Sequence, residues 1–240
     1  MRYDAILFDL DGTLLPMDND EFTRGYFKLL ARAVAPLGYE PQKLIETMWK
    51  GVEKMVKNEG QISNFEAFWG EFEKAFPFDV RSHIPHFDAF YRTDFNKAKA
   101  LCFPTEKAKA AVGLARKNAE KVILATNPFF PPVAVEARIN WAGLEPSDFD
   151  LITTYDNSSS CKPNPYYYKE IGEKLGLTLE NCLMIGNNAD EDIKAAKAAG
   201  LQTFLLTDFL ISKEKELPDC PHGSFDELLS FLNQGKENAI

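Results

Sequence analysis

The chain has 240 residues, of which 45% are hydrophobic and 26% are charged, and its formal net charge is −9. This length fits one large domain, or a core domain with a smaller insertion, and the composition is that of a globular protein with a sizeable core. The acidic balance, without a basic stripe, argues against nucleic acid as a partner. No apolar run approaches the roughly 20 residues of a membrane span, and we expect neither a signal peptide nor a membrane partner.

The four cysteines and three histidines are not arranged as a metal or redox motif. They contain no CxxC pair and no zinc-like set. Reduced thiols are typical of the cytoplasm, so we expect a cytoplasmic protein. The cysteines are Cys102, Cys161, Cys182 and Cys220.

The first predicted element is a buried strand over residues 4–9, which ends in Asp9 and is followed by the turn Asp11-Gly12-Thr13. Two carboxylates two residues apart leave the strand together, so one can attack an electrophile or bind a metal while the other transfers protons. Gly12 allows a sharp turn and a close approach to phosphate. Asp and Gly are also common in ordinary turns, so this pattern alone leaves a purely structural interpretation open.

A long helical segment follows the first strand, from about residue 18 to residue 99. Its apolar residues recur at helical spacing, prolines divide it into several helices, and no strand pattern is present. We predict a helical domain inserted at residues 16–101. Its aromatic run is expected to form the core of this domain. Its basic residues could reach a substrate, but such residues are more often at the surface, and none is assigned to the site. The run comprises Phe65, Phe68, Trp69 and Phe72; the basic residues are Arg24, Lys50, Lys54, Arg81, His83, His86 and Arg92.

The remainder alternates between helices and short apolar strands. This rhythm predicts an α/β fold with a parallel sheet covered on both faces, in which ligands bind beyond the carboxyl ends of the strands. The predicted helices lie at residues 105–118, 131–142, 164–175, 189–199 and 224–233. The predicted strands lie at residues 121–126, 150–154, 181–186 and 201–206.

Three further segments place polar residues at this edge of the sheet. The hydroxyl of Thr126, with Asn127 beside it, can hold a phosphate oxygen. Lys162 precedes a rigid Pro-Asn-Pro turn and can offset charge shared by Asp9 and a phosphate. The oxygen-rich run at residues 186–192 suits Mg²⁺, although Asn and Asp also cap helices.

Taken together and in this order, the four segments resemble the motifs of the haloacid dehalogenase (HAD) superfamily. The most specific are FDLDGTL at residues 8–14, KPNP at residues 162–165 and DIKAAKAAG at residues 192–200. The resemblance covers the whole chain. It implies a Rossmann-like core formed by residues 1–15 and 102–240, with an all-helical cap of the C1 type at residues 16–101.

The resemblance also implies Mg²⁺-dependent hydrolysis of a small phosphate monoester. Asp9 would attack phosphorus to form an aspartyl-phosphate, and Asp11 would protonate the leaving oxygen and then activate water. The dehalogenase branch lacks the second aspartate, so Asp11 favours phosphoryl transfer. The substrate would be held by Thr126, Lys162, Gly12, Thr13 and Asn127.

The same resemblance implies that Mg²⁺ is held by the Asp9 carboxylate, by the Asp11 backbone carbonyl, and by Asn187 and Asp192 of the fourth motif. The family usually has Asp where this chain has Asn187, and an amide oxygen brings no negative charge, so metal affinity should fall. Asp190, Glu191 or Asp192 could compensate. Two alternatives therefore stay open: a phosphomutase, and a catalytically weak member that acts as a binding or regulatory protein. The sequence does not indicate an oligomeric state.

Overall fold

The computed structural model describes residues 2–234, and its centre is a six-stranded sheet. The strands are β1 (Tyr3–Phe8), β2 (Ala119–Leu124), β3 (Leu151–Ile152), β4 (Cys182–Gly186), β5 (Gln202–Leu206) and β6 (His222–Gly223). Their spatial order is β3-β2-β1-β4-β5-β6, and every neighbouring pair is parallel.

Strand β1 lies in the middle of the sheet, between β2 and β4. Its residues 5–8 are apolar and buried because helices cover both faces of a parallel sheet. Phe8 at its carboxyl end is in register with Leu124 of β2 and Ile185 of β4. The residues that follow these three strands therefore emerge at one edge of the sheet.

Nine α-helices surround the sheet in the described part of the chain. Four lie between β1 and β2: α1 (Asn19–Val34), α2 (Pro41–Val56), α3 (Asn64–Phe72) and α4 (Ile84–Arg92). Five belong to the core: α5 (Glu106–Asn118), α6 (Pro132–Trp141), α7 (Tyr166–Leu175), α8 (Ala195–Ala199) and α9 (Phe225–Gln234). Helices α5, α6 and α9 pack on one face of the sheet with Ile6 and Phe8, and α7 and α8 pack on the other with Ala5 and Leu7.

Helices α1 to α4 form the inserted domain, and residues 16–101, all described, contain no β-strand. Helix α1 begins after Asp18, whose side chain accepts a hydrogen bond from the Glu21 amide at 2.8 Å. Such a cap satisfies a backbone donor that has no partner inside the helix. The domain then buries an aromatic core in which the Tyr39 ring lies 6.0 Å from Phe72 and 5.7 Å from Phe87.

The two segments that connect the inserted domain to the core lie side by side. Met17 and Cys102 form an antiparallel bridge, and the Phe103 amide donates a hydrogen bond to the Pro16 carbonyl at 2.7 Å. A second contact is made by Asn64 at the start of α3, whose side-chain amide donates to the Ser160 carbonyl at 3.1 Å. A third contact joins the domain to α6, where Trp141 Nε1 donates to Asn96 Oδ1 at 3.1 Å, so the inserted domain is held to the core beyond its linkers.

The predicted α/β class, with a parallel sheet and an inserted helical domain, is confirmed. Differences are confined to the ends of elements and to the shortest strands. The strand predicted at residues 150–154 contains only Leu151–Ile152, and the predicted helix at 189–199 begins with the π-helical segment Ala189–Lys194. Strand β6 was not predicted, because two residues carry no detectable alternation. Among residues 2–234, no helix combines the length and apolar character needed to cross a bilayer.

Candidate active site

Asp9 and Asp11 lie where the central strand ends. The Asp9 amide continues the sheet by donating to the Ile185 carbonyl at 2.9 Å, and its carboxylate is 7% exposed. Burial raises the pKa of Asp11, an effect that the charge of Arg138 opposes. A carboxyl group with a raised pKa suits a residue that must carry a proton.

Lys162 bridges two of the predicted carboxylates. Its Nζ lies 2.8 Å from Asp9 Oδ1 and 2.6 Å from Asp192 Oδ1, and all three side chains are buried. Burial alone would lower the pKa of Lys162, but the charges of Asp192 and Asp9 more than offset it and hold this pKa above its ordinary value. Lys162 is therefore a fixed positive charge beside Asp9.

The turn after β1 brings Asn187 against the first motif. Gly12 has a φ of +82°, and a Cβ there would lie 2.3 Å from the amide nitrogen of Asn187, so only glycine fits. Thr13 Oγ1 donates to Asn187 Oδ1 at 3.1 Å, and Asn187 Nδ2 donates to the Phe209 carbonyl at 2.6 Å. The orientation of the Asn187 amide is thus set from both ends.

The fourth motif is ordered by its own hydrogen bonds. Asp192 Oδ2 accepts from the Asn188 amide at 2.9 Å, so with Lys162 on Oδ1 both of its oxygens are engaged. Glu191 Oε2 accepts from Asn127 Nδ2 at 2.9 Å, and burial raises the pKa of Glu191. Asp190 points elsewhere, to an ion pair with Lys194 at 3.0 Å.

Two hydroxyl groups from neighbouring segments hold the backbone of Thr126 in place. Its carbonyl accepts hydrogen bonds from Tyr167 Oη at 2.9 Å and from Thr153 Oγ1 at 2.7 Å. Its side chain is buried and borders the cavity beside Asp9. A hydroxyl in this position can donate to a phosphoryl oxygen.

Arg138 of α6 was not predicted as a site residue. It is fully buried, its guanidinium is ion-paired with Asp11 Oδ2, and it stacks on the Phe130 ring at 4.2 Å from the centroid. Its Nη2, like Asp11 Oδ1, is buried without a hydrogen-bond partner in the described structure. An arginine in a helix is usually at the surface, so the sequence carried no signal for this contact.

A cavity of about 250 Å³ opens above Asp9 and Asp11. We call its polar side chains from the core the floor, and its side chains from the inserted domain the roof. The floor comprises Asp9, Asp11, Thr126, Asn127, Asn187, Asn188, Glu191 and Asp192. The roof comprises Asn19, Phe22, Thr23, Tyr26, Phe27, Met48, Trp49, Val52 and Phe68. Phe129, Phe130 and Ile211 complete the walls.

The predicted site residues divide into two groups around this cavity. Six of them border it directly as part of the floor: Asp9, Asp11, Thr126, Asn127, Asn187 and Asp192. Lys162, Gly12 and Thr13 lie behind the floor and contact its residues instead. None of the seven basic candidates of the inserted domain borders the cavity. Phe68, expected only in the domain core, is buried there and also lines the roof.

Oxygen atoms dominate the floor, and these are the donors that Mg²⁺ prefers. Asp9, Asp11 and Asn187 supply them at the turn, and the partnerless Asp11 Oδ1 leaves one buried acceptor free. Within residues 2–234, no group of three or more His, Cys, Asp or Glu side chains is gathered as a metal site. The donor chemistry therefore fits a magnesium ion that keeps several waters, rather than one enclosed by protein ligands.

Comparisons with known proteins bear on the whole chain. It is 26% identical to a phosphoglycolate phosphatase from Neisseria meningitidis, over 97% of this chain and 94% of that protein. It is 26% identical to a glyceraldehyde 3-phosphate phosphatase from Methanopyrus kandleri, over 83% of this chain and 82% of that protein. The solved structure of the HAD-hydrolase YfnB from Bacillus subtilis bound to magnesium has a TM-score of 0.58 and 19% identity, over 97% of this chain and 100% of YfnB.

The likeness to YfnB concerns the fold. The family is identified by its haloacid dehalogenase-like hydrolase model, which matches residues 3–200. Because that match spans most of the chain, this protein belongs to the haloacid dehalogenase-like hydrolases, as the four motifs predicted.

Proposed function

We propose that this protein is a Mg²⁺-dependent phosphatase that hydrolyses a small phosphate monoester through an aspartyl-phosphate on Asp9. The observation that carries the proposal is the floor: two carboxylates follow β1, and a buried lysine lies 2.8 Å from Asp9. Relatives named as phosphatases support the same reaction class.

In the proposed reaction, Asp9 Oδ attacks phosphorus and the leaving oxygen takes a proton from Asp11. Asp11 then accepts a proton from the water that hydrolyses the acyl phosphate. Lys162 and the Thr126 hydroxyl offset and orient the phosphoryl charge from the core side. Bound magnesium would supply further neutralisation of the meeting anions.

We further propose that the Asp9 carboxylate, the Asp11 backbone carbonyl and the Asn187 side chain hold the metal, and that Asp192 supports it by fixing Lys162. Because Asn187 is neutral, a nearby charge is needed to restore affinity. Glu191 fits this role, since it borders the cavity, whereas Asp190 is engaged with Lys194. Residues 16–101 would act as a C1-type cap over the site.

The proposed partner is a small phosphorylated metabolite, and the proposed compartment is the cytoplasm. All four cysteines are free thiols, three of them buried, which agrees with a reducing environment. A phosphomutase and a binding protein of the same fold share most of the floor. They are distinguished by the outcome of the experiment that follows.

The test is phosphate release from a panel of phosphorylated metabolites, with and without Mg²⁺, for the wild type and Asp9→Asn. The change is nearly isosteric, so we expect the fold to persist while turnover falls by at least about 10⁴-fold. Asp219→Asn, an exposed aspartate away from the cavity, is the matched control.

Residual activity of Asp9→Asn above about one per cent of wild type would contradict the nucleophile assignment. Release that does not depend on added or bound metal would contradict the magnesium role. Absence of release from every compound would favour the mutase or the binding protein over the phosphatase.

A further inference from the structure

The lining of the cavity carries negative charge on its floor and no positive charge. Among residues 2–234, none of the side chains that line it is Lys, Arg or His. Two cations lie behind this lining, and both are already paired: Lys162 with Asp9 and Asp192, and Arg138 with Asp11. A second anionic group on a substrate would therefore find no counter-charge beyond the phosphoryl site.

The roof offers apolar surface instead. Phe27 and Trp49 meet edge to face with ring centroids 5.5 Å apart, and Tyr26 meets Phe130 in the same way at 5.5 Å. The Tyr26 hydroxyl is directed to that of Tyr91 at 2.8 Å, so it is already hydrogen-bonded. A flat or branched apolar group packs favourably against such rings, because its apolar surface is removed from water.

The size of the cavity sets a further limit. Its volume of about 250 Å³ must hold both the phosphoryl group and whatever is attached to it. This is below the range of roughly 300–1,000 Å³ for pockets that hold drug-sized ligands. The organic part of the substrate is therefore small, on the order of a single ring.

We infer that the enzyme selects phosphate monoesters whose organic group is small, neutral and apolar, such as an arylmethyl or branched alkyl group. Substrates that also carry a carboxylate or a second phosphate are rejected by the acidic floor and the uncharged roof. This inference rests on the proposed phosphatase function. It sets the chain apart from the relative named as a phosphoglycolate phosphatase, whose substrate carries a carboxylate.

The first experiment compares benzyl phosphate with 4-carboxybenzyl phosphate in the presence of Mg²⁺. Both release a benzylic alcohol, and 4-carbamoylbenzyl phosphate, which is neutral and nearly equal in size to the carboxylated compound, separates the effect of the charge from that of the added volume. We expect kcat/KM to be at least about 100-fold higher for benzyl phosphate, because the added carboxylate faces carboxylates without a counter-charge. Equal or better cleavage of the carboxylated compound would overturn the inference.

The second experiment places a cation on the roof. Thr23 is half-buried and borders the cavity. A lysine there would attract the added carboxylate, so Thr23→Lys should lower the ratio of kcat/KM for benzyl phosphate to kcat/KM for 4-carboxybenzyl phosphate by at least about 10-fold. Thr93→Lys is the matched control, since Thr93 is exposed on the same domain and lies away from the cavity. An equal narrowing in both variants would contradict a local effect of the roof.

A binding measurement separates this inference from the proposed function. Benzylphosphonate and 4-carboxybenzylphosphonate cannot be hydrolysed, and calorimetry on the wild-type protein with Mg²⁺ reports their affinities directly. If benzylphosphonate binds more tightly but no ester is hydrolysed, the selectivity is supported and the proposed phosphatase function is contradicted. Tighter binding of the carboxylated phosphonate would overturn the selectivity even if phosphatase activity is found.

Discussion

The floor and the roof of the cavity differ in their chemistry. The floor is assembled at the ends of parallel strands, and its buried carboxylates Asp9 and Asp192 contact Lys162 behind it. The roof comes from one continuous helical segment and is mostly aromatic and aliphatic. The difference teaches that reaction and selection are separable here, since each depends on a different part of the chain. Substitutions in the two regions should differ accordingly in size of effect.

The largest effect on stability is expected from Lys162→Met. Removal of this ammonium leaves Asp9 and Asp192 buried without a counter-charge, which should lower the free energy of unfolding by up to about 5 kcal/mol. Lys97→Met is the control, because its ion pair with Asp94 is exposed and should contribute no more than about 0.5 kcal/mol. Urea-induced unfolding of the wild type and the two variants measures both changes in the free energy of unfolding. Similar losses of stability in the two variants would mean that the buried ion pairs of Lys162 contribute little.

An intermediate effect is expected from Arg138→Met. It leaves the Asp11 carboxylate without its guanidinium partner, so stability should fall by about 3 kcal/mol. Since Arg138 positions Asp11 and does not border the cavity, kcat should fall by about 10- to 100-fold with KM nearly unchanged. Arg138→Lys keeps the charge but loses the fork and the stacking on Phe130, so it should recover part of kcat. A rise in KM without loss of kcat would contradict the positioning role.

The smallest effect is expected from Tyr26→Phe in the roof. It removes one side of the hydroxyl contact with Tyr91 and should cost about 1 kcal/mol, since the other hydroxyl then lacks a buried partner. The double variant Tyr26→Phe/Tyr91→Phe removes both hydroxyls and should be less destabilised than the sum of the two single changes. Thermal unfolding of all three variants decides this, and strict additivity would show that the hydroxyls are not coupled.

Much of the floor could be predicted from sequence because its rule is simple. Residues after parallel strands meet at one edge, so the sequence alone predicts that Asp9, Thr126 and Asn187 lie together. The sheet and the helical insertion followed from the period of the apolar residues. Such predictions succeed where local pattern and topology agree.

What could not be predicted depends on side-chain direction. Nothing in the pattern of α6 marks Arg138 as an inward residue, because only its packing against Phe130 and Asp11 turns it from solvent. The hydrogen bond from Thr13 to Asn187 depends in the same way on the close approach of Gly12 to Asn187. The sequence also carries no signal that the roof is uncharged, because it does not indicate which residues of the inserted domain, basic or apolar, face the cavity.

The paired linkers have a consequence for how this protein can change. Because Met17 and Cys102 are neighbours, the chain leaves the core for the inserted domain and returns to it at the same place. One continuous stretch of chain can therefore be grafted or replaced without altering the register of the sheet, and a longer or shorter graft changes the entropy of closing that loop only slowly. Under the proposed function, recombination at this point would exchange selectivity in one event, whereas the floor, drawn from three distant segments, can be altered only residue by residue.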